Sequence, residues 1–167
     1  MKTFIKKQPP GRLIAMGFAM VILIGTCLLL TPWSVRQGVT VKPVDALFSA
    51  TSAVCVTGLV TIDTADHFTA FGQAIMGLLI QIGGLGVITM SATFLMLAGR
   101  NISLKERSAM QDALSAPSVG GIVRLTRFIL KGTFIVELTG ALVMLPVFWR
   151  DHGFRGIWMA VFHSISA

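Results

Sequence analysis

The chain is 167 residues long, 54% hydrophobic and only 13% charged, with a mean hydropathy of +0.80. So apolar a composition exceeds what a soluble domain of this length carries, and makes lipid the expected solvent for much of the chain. The net charge of +7 would suggest nucleic acid in a soluble protein, but no basic patch interleaved with aromatics occurs, and the basic residues are first to be tested against membrane sidedness.

Leu13 to Leu30 is the first apolar run near the roughly 20 residues that cross a hydrocarbon core. It follows Lys2, Lys6, Lys7 and Arg12, so a secretory signal peptide competes with a retained span. The run is longer than a usual signal core, and Leu30-Thr31-Pro32-Trp33 lacks the small-x-small cleavage pattern. A retained transmembrane helix is expected, with residues 1–12 as a cytoplasmic N-terminus.

The next stretch, Val41 to Asp63, is too apolar for an ordinary exterior loop. Pro43 suits the first turn of a helix and Asp45 complements its positive dipole end, and the run from Val44 to Ala53 continues it. About eleven residues rise only ~16 Å, roughly half a bilayer, so this helix has to turn back: a re-entrant pore helix. The β-branched and glycine stretch Val54 to Val60 has little reason to stay helical and is expected to climb out extended. Non-helical backbone at membrane depth belongs where it lines a cavity or pore, and carbonyls lining one suit a dehydrated monovalent cation. The pore helix aims its negative dipole end the same way. Gly58, without a Cβ, can take dihedrals that turn successive carbonyls toward one axis, or can be a plain turn glycine.

Phe71 to Leu97 reads as the second span. Within it, Gly83-Gly84-Leu85-Gly86 lacks the spacing, strand and exposed helix N-terminus of a phosphate-binding loop, and suits close helix packing, a kink or gating. Gln81 in the same span suits an interhelical hydrogen bond or, alternatively, ion coordination. Residues 101–121 read as a cytoplasmic connection anchored beside anionic headgroups. Phe128 to Phe148 is the third span, and its Glu137 is a costly intramembrane carboxylate whose candidate roles are gating or binding a coupling cation; Lys131 can snorkel and need not pair with it. With the N-terminus inside, the cytoplasmic side receives Lys2, Lys6, Lys7, Arg12, Arg100, Lys105, Arg107, Arg124, Arg127 and Lys131, and the outer side Arg36, Lys42, Arg150 and Arg155. That bias is the positive-inside pattern, and it accounts for the basic charge without nucleic acid.

Cys27 and Cys55 form no CxxC pair, and a disulfide between them is not expected. His67, His152 and His163 share no ligand spacing, and no nucleophile-elbow, zincin or paired-carboxylate motif prompts an enzymatic reading.

Asp45-Ala-Leu-Phe-Ser-Ala-Thr-Ser-Ala-Val-Cys-Val-Thr-Gly-Leu resembles the first pore helix and filter of the Trk/Ktr/HKT superfamily of potassium transporters, and Leu79-Ile-Gln-Ile-Gly-Gly-Leu-Gly resembles the helix that follows it. The likeness is closest to the KtrB-like and TrkH-like pore subunits and covers essentially the whole chain. It implies an all-α, polytopic membrane protein built of membrane-pore-membrane repeats, as in a potassium channel: residues 13–100 as the first repeat, and 122–167 as the start of a second, ending within a pore helix that spans Gly156 to Ala167. It implies that the chain is the N-terminal part of a longer protein of four repeats. Cys55, Val56, Thr57, Gly58 and Leu59 would be the filter, with K+ held by the backbone carbonyls of Val56, Thr57 and Gly58. It further implies potassium uptake across the cell membrane with K+ as cargo and no cofactor in this chain, a homodimer of the full-length subunit, and a cytoplasmic ring of nucleotide-binding regulatory subunits. A channel for another monovalent cation such as Na+, or a non-transporting scaffold in which Val54 to Val60 is an interfacial loop, are the competing readings.

Overall fold

The computed structural model describes residues 10–86, 89–90, 104–114 and 121–167. Lys2, Lys6, Lys7 and Arg100, residues 91–97 of the expected second span, and Pro117 and Gly120 of the connection lie outside them. Among the described residues these helices follow in order: α1 Pro10–Leu29, α2 Pro43–Val54, α3 Thr64–His67, α4 Ala70–Leu85, α5 Leu104–Ala113, α6 Ile122–His152 and α7 Phe154–Ser166. Among the described residues there is no strand, only an antiparallel bridge between Val35 and Phe68.

α1 is stopped by Thr31-Pro32, and two hydroxyls close its end: Thr31 Oγ1 and Ser34 Oγ each donate to the Leu28 carbonyl at 2.7 Å. Such side-chain donors satisfy carbonyls that a helix end leaves without partners. The chain then reaches a neck. Arg36 N donates to His67 O and Thr69 N to Ser34 O, both at 2.9 Å, so residues 36–67 leave and return at one place. Phe68 is 0% exposed at this neck. Gly72 packs there against the Ser34 carbonyl and the Phe68 side chain, where a Cβ would not fit.

Inside that excursion α2 has 12 residues, a rise of about 18 Å. Pro43 opens it and Asp45 lies in its first turn. Its buried face, Ala46, Ser49, Ala50, Ala53 and Val54, repeats at helical spacing with small side chains. Small residues let backbones approach closely, and α2 lies against both α1 and α4. Leu29, Phe68, Ile75, Met76 and Leu79 complete this core.

The return segment caps its own helices. Asp63 Oδ1 accepts from Ala65 N at 2.7 Å, and Thr69 Oγ1 accepts from Gly72 N at 3.2 Å. A single helix from Phe71 to Leu97, as the unbroken apolar run predicts, does not form. α4 has 16 residues and stops at Gly86, which takes φ 82°, and a new turn begins with Met90 N donating to Gly86 O at 3.0 Å. Hydropathy is blind to backbone dihedrals, so the run could not reveal this break.

The expected connection 101–121 carries α5, ten residues long, seated on the start of α6 through the buried Met110, Ile122 and Thr126. α6 has 31 residues and extends past both ends of the predicted Phe128–Phe148 span. Its Ile122–Arg150 portion is long and apolar enough to cross a membrane, whereas α1 and α4 contribute shorter apolar helices, Ile14–Leu29 and Ala70–Leu85. Gly153, at φ 57° and ψ −130°, reverses the chain, and α7 folds back along α6. Gly156 presses on the Phe148 carbonyl there, leaving no space for a Cβ.

Candidate functional site

α2 ends at Val54, and the backbone turns sharply. Cys55 N donates to Thr51 O at 2.8 Å and Val56 N to Ala53 O at 3.2 Å, so the last carbonyls of the helix are partly used. Val56 then takes φ 52° and Gly58 φ 71°. Positive φ is ordinary for glycine and rare for a β-branched residue, so Val56 stores strain here. The expected extended climb over Val54 to Val60 is therefore corrected at Val56 and Gly58: the segment is a tight, twice-kinked loop.

Ser52 holds this loop to the helix. Its Oγ donates to the Leu59 carbonyl at 2.6 Å and lies 3.0 Å from Thr57 Oγ1, and its own carbonyl accepts from Thr57 N at 3.0 Å. Ser52 is buried, at 7% exposure, whereas Cys55, Val56, Thr57, Gly58 and Leu59 are all exposed. Among the described residues no donor meets the carbonyls of Val56, Thr57 or Gly58. The Leu59 carbonyl differs from these three, because Ser52 engages it. Cys55 and Cys27 are both free and exposed.

The loop borders a cavity of about 360 Å³. Ser52, Ala53 and Thr57 line one side; Phe162, Ser166 and Ala167 at the end of α7 line another. The C-terminus of α2 thus borders this space with the negative end of its backbone dipole, and the exposed loop carbonyls add to that negative potential. Two segments lining the cavity also match in sequence: Phe48-Ser-Ala-Thr-Ser52-Ala53 and Phe162-His-Ser-Ile-Ser166-Ala167 share Phe-x-x-x-Ser-Ala. Chemically, the loop carbonyls and the end of the α2 dipole can accept a cation. Ser52 was not among the sequence candidates, and this internal match is the signal that could have found it.

The other sequence candidates lie elsewhere. Gly83 packs against the Val54 carbonyl so tightly that a Cβ would strike the backbone, while Gly84 faces open space. Gln81 Nε2 donates to Glu137 Oε1, joining α4 to α6, and Ser164 Oγ on α7 donates to the Glu137 backbone carbonyl. Gln81 and Glu137, read separately in the sequence, thus meet at a three-helix crossing. Gln81 lines an apolar groove between α4 and α7, away from the loop cavity. His67 Nδ1 lies 3.0 Å from Asp63 O and His163 Nδ1 3.0 Å from Met159 O; among the described residues no three metal-ligating side chains gather.

Residues 13–167 match the TrkH family, described as cation transport protein. The chain is 40% identical over 163 residues to the potassium/sodium uptake protein NtpJ of Enterococcus hirae, covering 97% of this chain and 36% of that protein. It is 41% identical over 162 residues to Ktr system potassium uptake protein B of Bacillus subtilis, covering 95% and 35%, and 38% identical over 158 residues to its namesake in Vibrio alginolyticus, covering 93% and 34%. The chain thus spans about a third of the length of these curated relatives. Matched along nearly its whole length, the chain belongs to the TrkH family of cation transport proteins, membrane transporters and not enzymes.

Proposed function

We propose that the complete protein takes up potassium across the cell membrane, and that residues 36–67 form a re-entrant pore loop whose Val56, Thr57 and Gly58 carbonyls line the ion path. One observation carries this reading: the end of α2 and the Val56, Thr57 and Gly58 backbone, whose carbonyls meet no donor among the described residues, border a single cavity. A dehydrated monovalent cation loses its water at membrane depth, and fixed carbonyl dipoles with the C-terminus of α2 replace it. The excursion closes on itself at the neck and contains a half-length helix, which fits a segment that enters and leaves by one face.

Uptake then needs no chemistry from these residues, because a negative interior drives a cation inward by about 2.3 kcal/mol per charge per 100 mV. The relatives named as Ktr system proteins support a working unit with other subunits; we place a homodimer and a cytoplasmic nucleotide-binding ring there, with the nucleotide on the partner. The N-terminus lies inside, as the positive-inside pattern requires. The name of the Enterococcus relative, potassium/sodium uptake protein, favours Na+ as a second cargo.

The test is potassium-limited growth and rubidium uptake in an uptake-deficient host carrying the full-length protein, parent against Gly58→Ser at matched membrane expression. A side chain at φ 71° is strained, so the expected result is roughly tenfold weaker uptake or a comparable loss of discrimination against Na+. An expressed parent that moves no rubidium even with its regulatory partner sinks the potassium reading.

A further inference from the structure

At the opposite end of the long helix from the α6–α7 reversal, a cavity of about 530 Å³ is lined by Arg107, Gly121, Ile122, Val123, Arg124 and Arg127. Three arginines from two helices line it, and among the described lining residues there is no carboxylate. Arg107 reaches it from α5 and is partly buried; its Nε is shut off from solvent with no hydrogen-bond partner. The third positive feature is the backbone. α6 begins after Gly121, which has no side chain to accept from the first-turn amides, and no acidic residue lies in that turn.

Each feature is unfavourable alone. Like charges repel, a shielded donor without an acceptor loses hydrogen-bond energy, and a helix start whose N-cap residue offers no side-chain acceptor and whose first turn has no acid keeps its partial positive charge. One bound group with several anionic oxygens answers all of them together, as guanidinium forks and helix amides do for phosphate.

The surroundings choose the carrier of that phosphate. At 31 residues α6 is about 46 Å long against a hydrocarbon core of ~30 Å, so a placement centred on that core sets its first turns at headgroup depth. Leu125 and Phe128, interleaved with Arg124 and Arg127, are 41% and 74% exposed and continue into the exposed apolar Phe134, Ile135 and Val136. Lys131, one turn on, is exposed as well. A site whose basic floor runs directly into a lipid-facing apolar strip matches a headgroup with its acyl chains attached better than a free ion.

We propose that Arg107, Arg124, Arg127 and the α6 N-terminus bind the phosphate of an anionic phospholipid. That the leaflet is the cytoplasmic one rests on the topology given under Proposed function; the site itself does not.

The test is native mass spectrometry of the full-length protein in detergent, offered phosphatidylglycerol, phosphatidylcholine or inorganic phosphate. The parent should retain phosphatidylglycerol over phosphatidylcholine by roughly tenfold, and Arg107→Gln/Arg124→Gln/Arg127→Gln should abolish that preference. Arg124→Gln alone, at an exposed position that leaves α6 intact, should cut it by about threefold. Arg155→Gln, the same charge change at the far end of the protein, should leave it unchanged. Equal retention by parent and triple variant, an equal loss in Arg155→Gln, or phosphate binding without any lipid preference would each overturn the proposal. Because the readout is lipid retention, a protein that holds the lipid but moves no rubidium sinks only the transport reading, and one that transports without the preference sinks only this one.

Discussion

Ser52 fastens the kinked loop to α2 by hydroxyl and carbonyl at once, and its burial gives those bonds weight. Ser52→Ala deletes the donor to Leu59 O and the contact with Thr57 Oγ1; the Thr57 hydroxyl keeps the backbone carbonyl of residue 52 at 3.4 Å, and the Leu59 carbonyl is left to find a new partner. The expected cost is about 1–2 kcal/mol of local stability, read as rubidium uptake that persists while selectivity over sodium falls several-fold. If selectivity is unchanged in Ser52→Ala, the loop does not depend on this strut. Gly58 was legible in the sequence because a glycine amid β-branched residues marks an unusual dihedral. Val56 was not, since nothing in a valine announces a φ of 52° that only the surrounding bonds impose.

Among elements, the contact of Gly83 with the end of α2 sets the distance from α4 to the loop. Gly83→Ala places a methyl against the Val54 carbonyl, a backbone group that cannot rotate away. Thermal unfolding of the detergent-solubilised full-length protein should show a loss of about 1–3 kcal/mol, whereas Gly84→Ala, facing open space, should be neutral or slightly stabilising through helix propensity. The bond from Gln81 to Glu137 separates two roles for the carboxylate. If Glu137 only ties α4 to α6, Glu137→Gln keeps an oxygen for the amide and retains most rubidium uptake, while Glu137→Leu loses stability. If it binds a coupling cation, Glu137→Gln abolishes uptake at normal stability. The half-length of α2 was readable from Pro43, Asp45 and the small residues that follow. The break at Gly86 and the helix inside 104–113 were not: the first hides within an unbroken apolar run, and α5 holds its place by docking Met110 on α6 rather than by its own periodicity.

For the whole molecule, large apolar side chains point outward along α6, with Val136 and Val143 both 71% exposed. In water such a surface would aggregate; against lipid or further protein it is satisfied. A conduit lined by carbonyls needs them on every side, and the chain, spanning about a third of its curated relatives, brings one kinked loop to the cavity it borders. Sidedness is the property on which uptake direction depends, and it can be read without transport. Gln37 lies in the neck on the side assigned to the exterior, and Asp112 lies on α5 on the side assigned to the cytoplasm; both are exposed. In a full-length protein with Cys27→Ala and Cys55→Ala, Gln37→Cys should react with a membrane-impermeant maleimide in intact cells. Asp112→Cys should react only after permeabilisation. The reverse pattern would turn α6 over, put the three-arginine cavity on the outer leaflet and direct the loop cavity inward, a topology that the distribution of Arg12, Arg107, Arg124, Arg127 and Lys131 argues against.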